Sequence, residues 1–161
     1  MSVLSQRLLV PCPVNQAGAH LTRYFRDHGN RDGDISRLHL HAGNAEHTAI
    51  ATFMQRAPTS AMIPSYSVSW APEGGGPYPT FTGTINIENS DDYRSFYLAI
   101  AGTYTPPFAE AGHVFDLVVG HRIANAAAAN LLAEISEFIM QRYIAVESDK
   151  SRERAIAHAG K

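Results

Sequence analysis

The stretch GDISRLHLHAGNAEH gathers His39, His41, Glu46 and His47 within a short span. Histidines at i and i+2 share one face of a strand. A turn over GNAE would fold the following residues back, bringing Glu46 or His47 near the two imidazoles. Two imidazoles and a carboxylate suit iron, zinc or manganese. Against this, His39 and His41 alternate with Leu38 and Leu40, which puts the imidazoles on the solvent side of a sheet. Spacing without a closed ligand set is a weak metal signal. A metal site at His39, His41 and Glu46 is therefore the least favoured functional reading, and no cofactor is expected.

The spacing of Gly33, His39, His41 and Glu46 resembles the first metal motif of cupins. The departures are plain: Phe53 stands where that motif closes on glycine, and its second half, with a further histidine, is absent. His121 is the other residue that invites chemistry. It falls in the apolar sector of a long helical pattern, beside alanines. There it would orient a polar group of a ligand, or act as acid or base near neutral pH. The plainer reading is a core histidine bonded to a strand carbonyl or a buried water. Cys12, between Pro11 and Pro13, has no evident activating partner, and no serine or cysteine nucleophile motif is present. The glycines of PEGGGPYP lack the helix and lysine of a phosphate loop, and read as a flexible turn at a cavity mouth. No catalytic residue is assigned, and whether the protein is an enzyme stays open.

The elements that must position these residues follow from periodicity. SVLSQRLLV reads as a strand ended by prolines. Residues 15–29 read as helical, with Asn15 as cap, Leu21, Tyr24 and Phe25 on one face, and Gly29 as stop. RDGD reads as a turn, and residues 35–42 and 47–57 as a hairpin. SYSVSW alternates cleanly, Tyr66, Val68 and Trp70 against Ser65, Ser67 and Ser69, the mark of an antiparallel sheet with one wet face. Phe81, Gly83, Ile85 and Ile87 alternate in the next strand. Phe96, Leu98, Ile100, Gly102 and Tyr104 alternate in the last. Glycines 83 and 102 suit a bend or a close backbone approach. The class is α+β.

From Phe115 onward the pattern is helical. Leu117, Gly120, His121, Ala124, Ala127, Ala128, Leu131, Leu132, Ile135, Phe138 and Ile139 share one sector. Phe115, Val119 and Ile123 add a second patch, which predicts a first half buried on more than one side. Small residues in mid-sector either let the helix press close to the sheet or, with larger residues holding its ends away, leave a hollow beneath it.

YPTFTG, SFYLAIAGTYTPP and GHVFDLVVGHRIANAAAANLL together resemble the bacterial SRPBCC (START-like, helix-grip) superfamily. The positions that carry the likeness are Pro79, Phe81, Gly83, Gly102, Tyr104, Pro106, Pro107, Gly112, Asp116, Arg122 and Ala124. They span about half the chain and look structural, not catalytic; Asp116 and Arg122 read as cap or surface residues. The resemblance implies a curved seven-stranded antiparallel sheet wrapped around the long C-terminal helix, two short helices after the first strand, and a deep apolar cavity between sheet and helix. Members bind lipids, sterols, polyketides or other hydrophobic molecules, and a minority are cyclases, dehydratases or hydrolases. The expected ligand wall is Tyr66, Trp70, Phe81, Ile85, Leu98, Ile100, Tyr104, Leu117, His121, Ala124 and Ala128. Binding of a hydrophobic small molecule is the first reading, and a cyclase- or dehydratase-type enzyme using the same cavity the second.

Composition sets the outer bounds. The 161 residues, 45% hydrophobic and 17% charged, suffice for one domain with a core. That domain is expected over 1–145, with a charged tail at 146–161 that reads as frayed or disordered. A net charge of −2 gives no footprint for nucleic acid. No uninterrupted apolar run reaches the length of a membrane span, so stable membrane insertion is not expected. The N-terminus has too short an apolar run for a signal peptide. One cysteine makes no internal disulfide and fits a reducing, cytoplasmic setting. A monomer and a homodimer are both left open.

Overall fold

The computed structural model describes residues 2–28, 30–32, 35–40, 49–57, 63–73, 78–106 and 114–160; for 30–32, 35–40 and 114–117 it describes the backbone only. Strand β1 (Ser2–Val10) leads through Pro11–Pro13 into helix α1 (Val14–His28). Strands β2 (Asn30–Asp32), β3 (Ile35–Leu40), β4 (Ala49–Gln55), β5 (Tyr66–Pro72), β6 (Thr80–Asn89) and β7 (Phe96–Thr105) follow, and helix α2 (Val114–Ala159) ends the chain. The strands form one seven-stranded antiparallel sheet in the order β1-β7-β6-β5-β4-β3-β2. The α+β class, the antiparallel sheet and the long C-terminal helix are as the sequence predicts.

Period-two patterning explains the strands. In β5, Tyr66, Val68 and Trp70 are buried while Ser69 is exposed. In β6 the buried positions are Phe81, Ile85 and Ile87, and in β7 Phe96, Leu98, Ile100 and Tyr104 share that face. The inner face is thus a continuous apolar surface awaiting cover.

Four expectations need correction. One helix, not two, follows β1. Gln16 N–H bonds Pro13 C=O at 3.0 Å at its start, so Asn15 lies inside the first turn. Gly18 lies within it where Pro64 comes close, a ring atom standing 2.9 Å from where a Cβ would be. Residues 31 and 32, read as part of a turn, join Asn30 in a short edge strand that pairs with Ile35–Arg37. The C-terminal segment is helical to Ala159 although exposed. Its composition explains this: alanine, glutamate, lysine and arginine favour helix, Lys150 Nζ bonds Glu147 Oε1 at 3.0 Å, and no glycine or proline intervenes before Gly160.

Helix α2 makes its close backbone approaches to β1 and β7 on one flank and to β3 on the other. Its composition and length would let it cross a membrane, but Ala124, Ala127, Ala128, Leu131, Leu132, Ile135 and Ile139 are buried in the core. The apolar stretch is that of a core helix. Its second apolar patch is covered only in part: Ile123 is half-buried against the core while Val119 is 39% exposed, and the side chain of Phe115 lies outside the described residues. Helix α1 closes one end of the sheet. Phe25 lies against Phe53 and Tyr66, with ring centroids 4.6 and 4.3 Å apart. Tyr24 meets Phe138 edge-on and bonds Glu134 Oε1 at 3.1 Å, tying α1 to α2.

Candidate functional site

The expected wall residues divide between two ends of the inner face. Tyr66, Ile85 and Ile100 lie in one cross-strand row, on the side that α1 covers. The Tyr66 hydroxyl bonds Thr22 Oγ1 at 3.2 Å, so this part of the wall is packed against a helix. Leu98 pairs with Ile87 on β6 and is fully buried.

Trp70, Phe81 and Tyr104 form the row at the other end, side by side on β5, β6 and β7. The Trp70 indole stacks on the Phe81 ring, 4.1 Å between centroids and 19° between planes. Two glycines make room for that ring. Gly83 and Gly102 face each other across β6 and β7. A Cβ on Gly83 would stand 2.5 Å from Phe81 Cζ, and one on Gly102 2.8 Å from the same atom. The bare backbone there gives the aromatic row its seat on the sheet.

Helix α2 passes this end with its smallest residues. Among the described positions from 118 to 130 the buried ones are Gly120, Ala124, Ala127 and Ala128; the larger Leu131, Leu132, Ile135 and Ile139 take over beyond. Leu117 belongs to the segment described by its backbone only. His121 is exposed, contrary to the expectation that it points into the interior. It sits at the margin of the helix's buried face, where its Nδ1 and the Tyr104 hydroxyl share a 2.8 Å hydrogen bond. Tyr104 itself is 3% exposed, so the pair runs from buried wall to solvent. One turn on, Asn125 Oδ1 accepts from Gln6 Nε2 of β1 at 2.8 Å, and Asn125 Nδ2 donates to the His121 carbonyl.

Sequence reasoning missed Tyr78. It lies just before β6, in the stretch read as a flexible turn, yet it is buried. Burial pushes its phenol up to about 12. The Tyr78 hydroxyl and Trp70 Nε1 are buried polar atoms with no hydrogen-bond partner among the described residues. No aspartate, glutamate, lysine, arginine or histidine is buried among the described residues. Among the described residues the interior is thus apolar, with aromatic rings at both ends, and holds no ionisable acid or base of these types.

Other candidates fall away or lie elsewhere. Cys12 is fully buried, and burial pushes its thiol up to about 11, the opposite of an activated nucleophile. Among the described residues no group of metal-ligating side chains is assembled. His41, Glu46 and His47, with Pro107 and Gly112 of the quoted motifs, lie outside the described residues, as do the side chains of His39 and Asp116. Two adjoining surface grooves flank α1. One, of about 360 Å³, is lined by His20, Arg23, Arg26 and Arg142 among others. The other, of about 540 Å³, is lined by Asn15, Thr22, Gln55, Arg56 and neighbours. In the first groove Asp27 already holds Arg23 at 3.3 Å and Arg142 at 3.2 Å.

No family model and no curated protein sequence matches the chain. Solved structures do. A conserved protein from Geobacillus kaustophilus superposes with a TM-score of 0.61 at 13% identity, over 87% of this chain and 96% of that one. A Thermus thermophilus protein gives 0.59 at 12% identity, over 88% and 99%. The Zhui aromatase/cyclase from a Streptomyces species gives 0.55 at 11% identity, over 87% and 92%. At such identities the likeness is one of fold.

Proposed function

We propose that this protein, a helix-grip protein of the SRPBCC (START-like) type, binds a hydrophobic small molecule such as a lipid or polyketide between its sheet and α2. One observation carries the reading. Where α2 passes the Trp70–Phe81–Tyr104 row, every buried helix position described is glycine or alanine, and the close backbone approaches of α2 are chiefly to β1, β7 and β3 rather than to β5 and β6, which carry Trp70 and Phe81. Small residues there leave room for a ligand at the aromatic row, where larger ones would fill the space as they do from Leu131 onward. The uncharged aromatic wall matches the character of ligand pockets, and each 100 Å² of ligand surface taken from water contributes roughly 2.5 kcal/mol. The motif resemblance and the fold shared with an aromatase/cyclase support the same assignment.

Native mass spectrometry of freshly purified protein tests it. Co-purified hydrophobic mass, or saturable uptake of an apolar fluorescent probe that such an extract displaces, is the expected result. A protein that carries nothing and takes up no apolar probe would remove the proposal.

A second reading, a cyclase or dehydratase on a hydrophobic substrate, has one observation in its favour. The Tyr104–His121 pair couples a buried phenol to an imidazole at the surface, an arrangement that can move a proton between interior and solvent. Turnover of a captured ligand that is lost in His121→Ala would establish it. A His121→Ala protein that keeps both ligand and any turnover would exclude it.

A further inference from the structure

Trp70 stands near the end of β5 and Tyr78 just ahead of β6, so the two flank the same connection. Each is 2% exposed, and neither the indole N–H nor the phenol has a partner among the described residues. Buried donors in folded proteins are nearly always paired, and leaving one unpaired costs about as much as losing a hydrogen bond. An indole N–H can only donate. The Trp70 ring is held by its stack on Phe81, and Phe81 is seated over Gly83 and Gly102. The donor is therefore a fixed point on the wall.

The surroundings define what it can receive. No ionised side chain is buried among the described residues, so a carboxylate drawn in would be desolvated with no buried counter-charge among them. A neutral carbonyl or hydroxyl oxygen pays no such penalty and can accept from either donor.

We infer that Trp70 Nε1–H and the Tyr78 hydroxyl form the polar recognition point of the interior site, and that its ligand is an apolar molecule bearing an uncharged oxygen acceptor, such as a ketone, ester or alcohol, in preference to a carboxylate. This rests on the reading of the interior as a ligand site.

The test uses the full chain and three matched probes: 2-acetylnaphthalene, 2-ethylnaphthalene and 2-naphthoate. The chain has one tryptophan, so a single indole N–H resonance reports on Trp70. The ketone is expected to bind about tenfold tighter than the ethyl analogue, as one buried hydrogen bond provides. It should also bind tighter than the carboxylate, and it alone should move the indole N–H resonance downfield. Tyr78→Phe should weaken the ketone toward the level of the ethyl compound and leave the latter unchanged. If that variant does not fold, the wild-type resonance and the ketone-to-ethyl ratio decide. Equal binding of ketone and ethyl compound with an unmoved indole signal would overturn this inference and leave the functional reading standing. A carboxylate that binds tightest would overturn the preference for a neutral acceptor. Binding of none of the three would overturn inference and functional reading together.

Discussion

Gly83 and Gly102 lie directly opposite each other in the β6–β7 ladder, and the ring of Phe81 occupies the space their side chains would need. A Cβ at either position would also run into a backbone carbonyl of the neighbouring strand, that of Ala101 for Gly83 and that of Thr82 for Gly102. A carbonyl cannot rotate away as a side-chain tip can. The smallest residue type at two positions thus fixes the height of Phe81, and through it the indole of Trp70.

Gly83→Ala and Gly102→Ala are each expected to destabilise the fold by about 1–3 kcal/mol, the usual cost of overpacking a tight site. Urea unfolding followed by the fluorescence of the single tryptophan measures it. The native emission should shift as well, because the stack on Phe81 is disturbed. A variant as stable as the wild type with unchanged emission would show that the strands can part freely here.

The Tyr104–His121 hydrogen bond should register in a double-mutant cycle. Tyr104→Phe and His121→Ala, singly and together, are expected to show a coupling of about 0.5–1.5 kcal/mol in unfolding free energy. Under the binding reading His121→Ala keeps its affinity for an apolar probe within about threefold, since the imidazole stands at the surface. Loss of all binding would place His121 at the ligand itself.

Alkali should destabilise the protein. The Cys12 thiol is raised from 9.0 to about 11 and the Tyr78 phenol from 10.0 to about 12, both by burial. Tyr24 is raised further, by burial and then by the Glu134 carboxylate it bonds. In each case the folded state holds its proton more tightly than the unfolded state. The stabilisation is complete below the unfolded pKa and is lost as pH rises through the folded value. Stability should be insensitive to these groups up to about pH 9 and fall between about 9 and 12. A melting series across that window checks it. Native Cys12 should also react with a thiol reagent on the order of 100-fold more slowly than in the urea-unfolded chain. Equal rates would show the thiol to be accessible.

Removing residues 148–161 should change unfolding free energy by less than about 0.5 kcal/mol, because α2 is exposed throughout that stretch. Circular dichroism should report the lost helix, and the melting temperature should stay. A marked drop would mean that the segment is held by something.

The central sheet was legible because β5, β6 and β7 alternate residue by residue, and one face of each is buried. Edge strand β2 was not, since three residues carry no period and its pairing depends on the chain returning through Ile35. The charged tail misled for a different reason: charge argues against burial, not against helix, and glutamate, lysine, arginine and alanine sustain a helix without a core. His121 shows the limit of the helical wheel. The wheel gives the sector but not how far the partner layer extends, so a residue at the margin reads as interior when it reaches solvent. Tyr78 was hidden by its neighbours, as glycines and prolines announce a loop and say nothing of a ring tucked beneath it.

Strand β1 stands ahead of the other six strands in the chain, yet its one partner in the sheet is β7, which follows them all. Its ladder runs from Ser2 against Tyr104 to Val10 against Phe96, so almost the whole sheet must leave the ribosome before that edge can close. Because contacts so distant along the chain are slow to form, assembly should be paced by the joining of the two chain-remote strands, with the hairpins already in place.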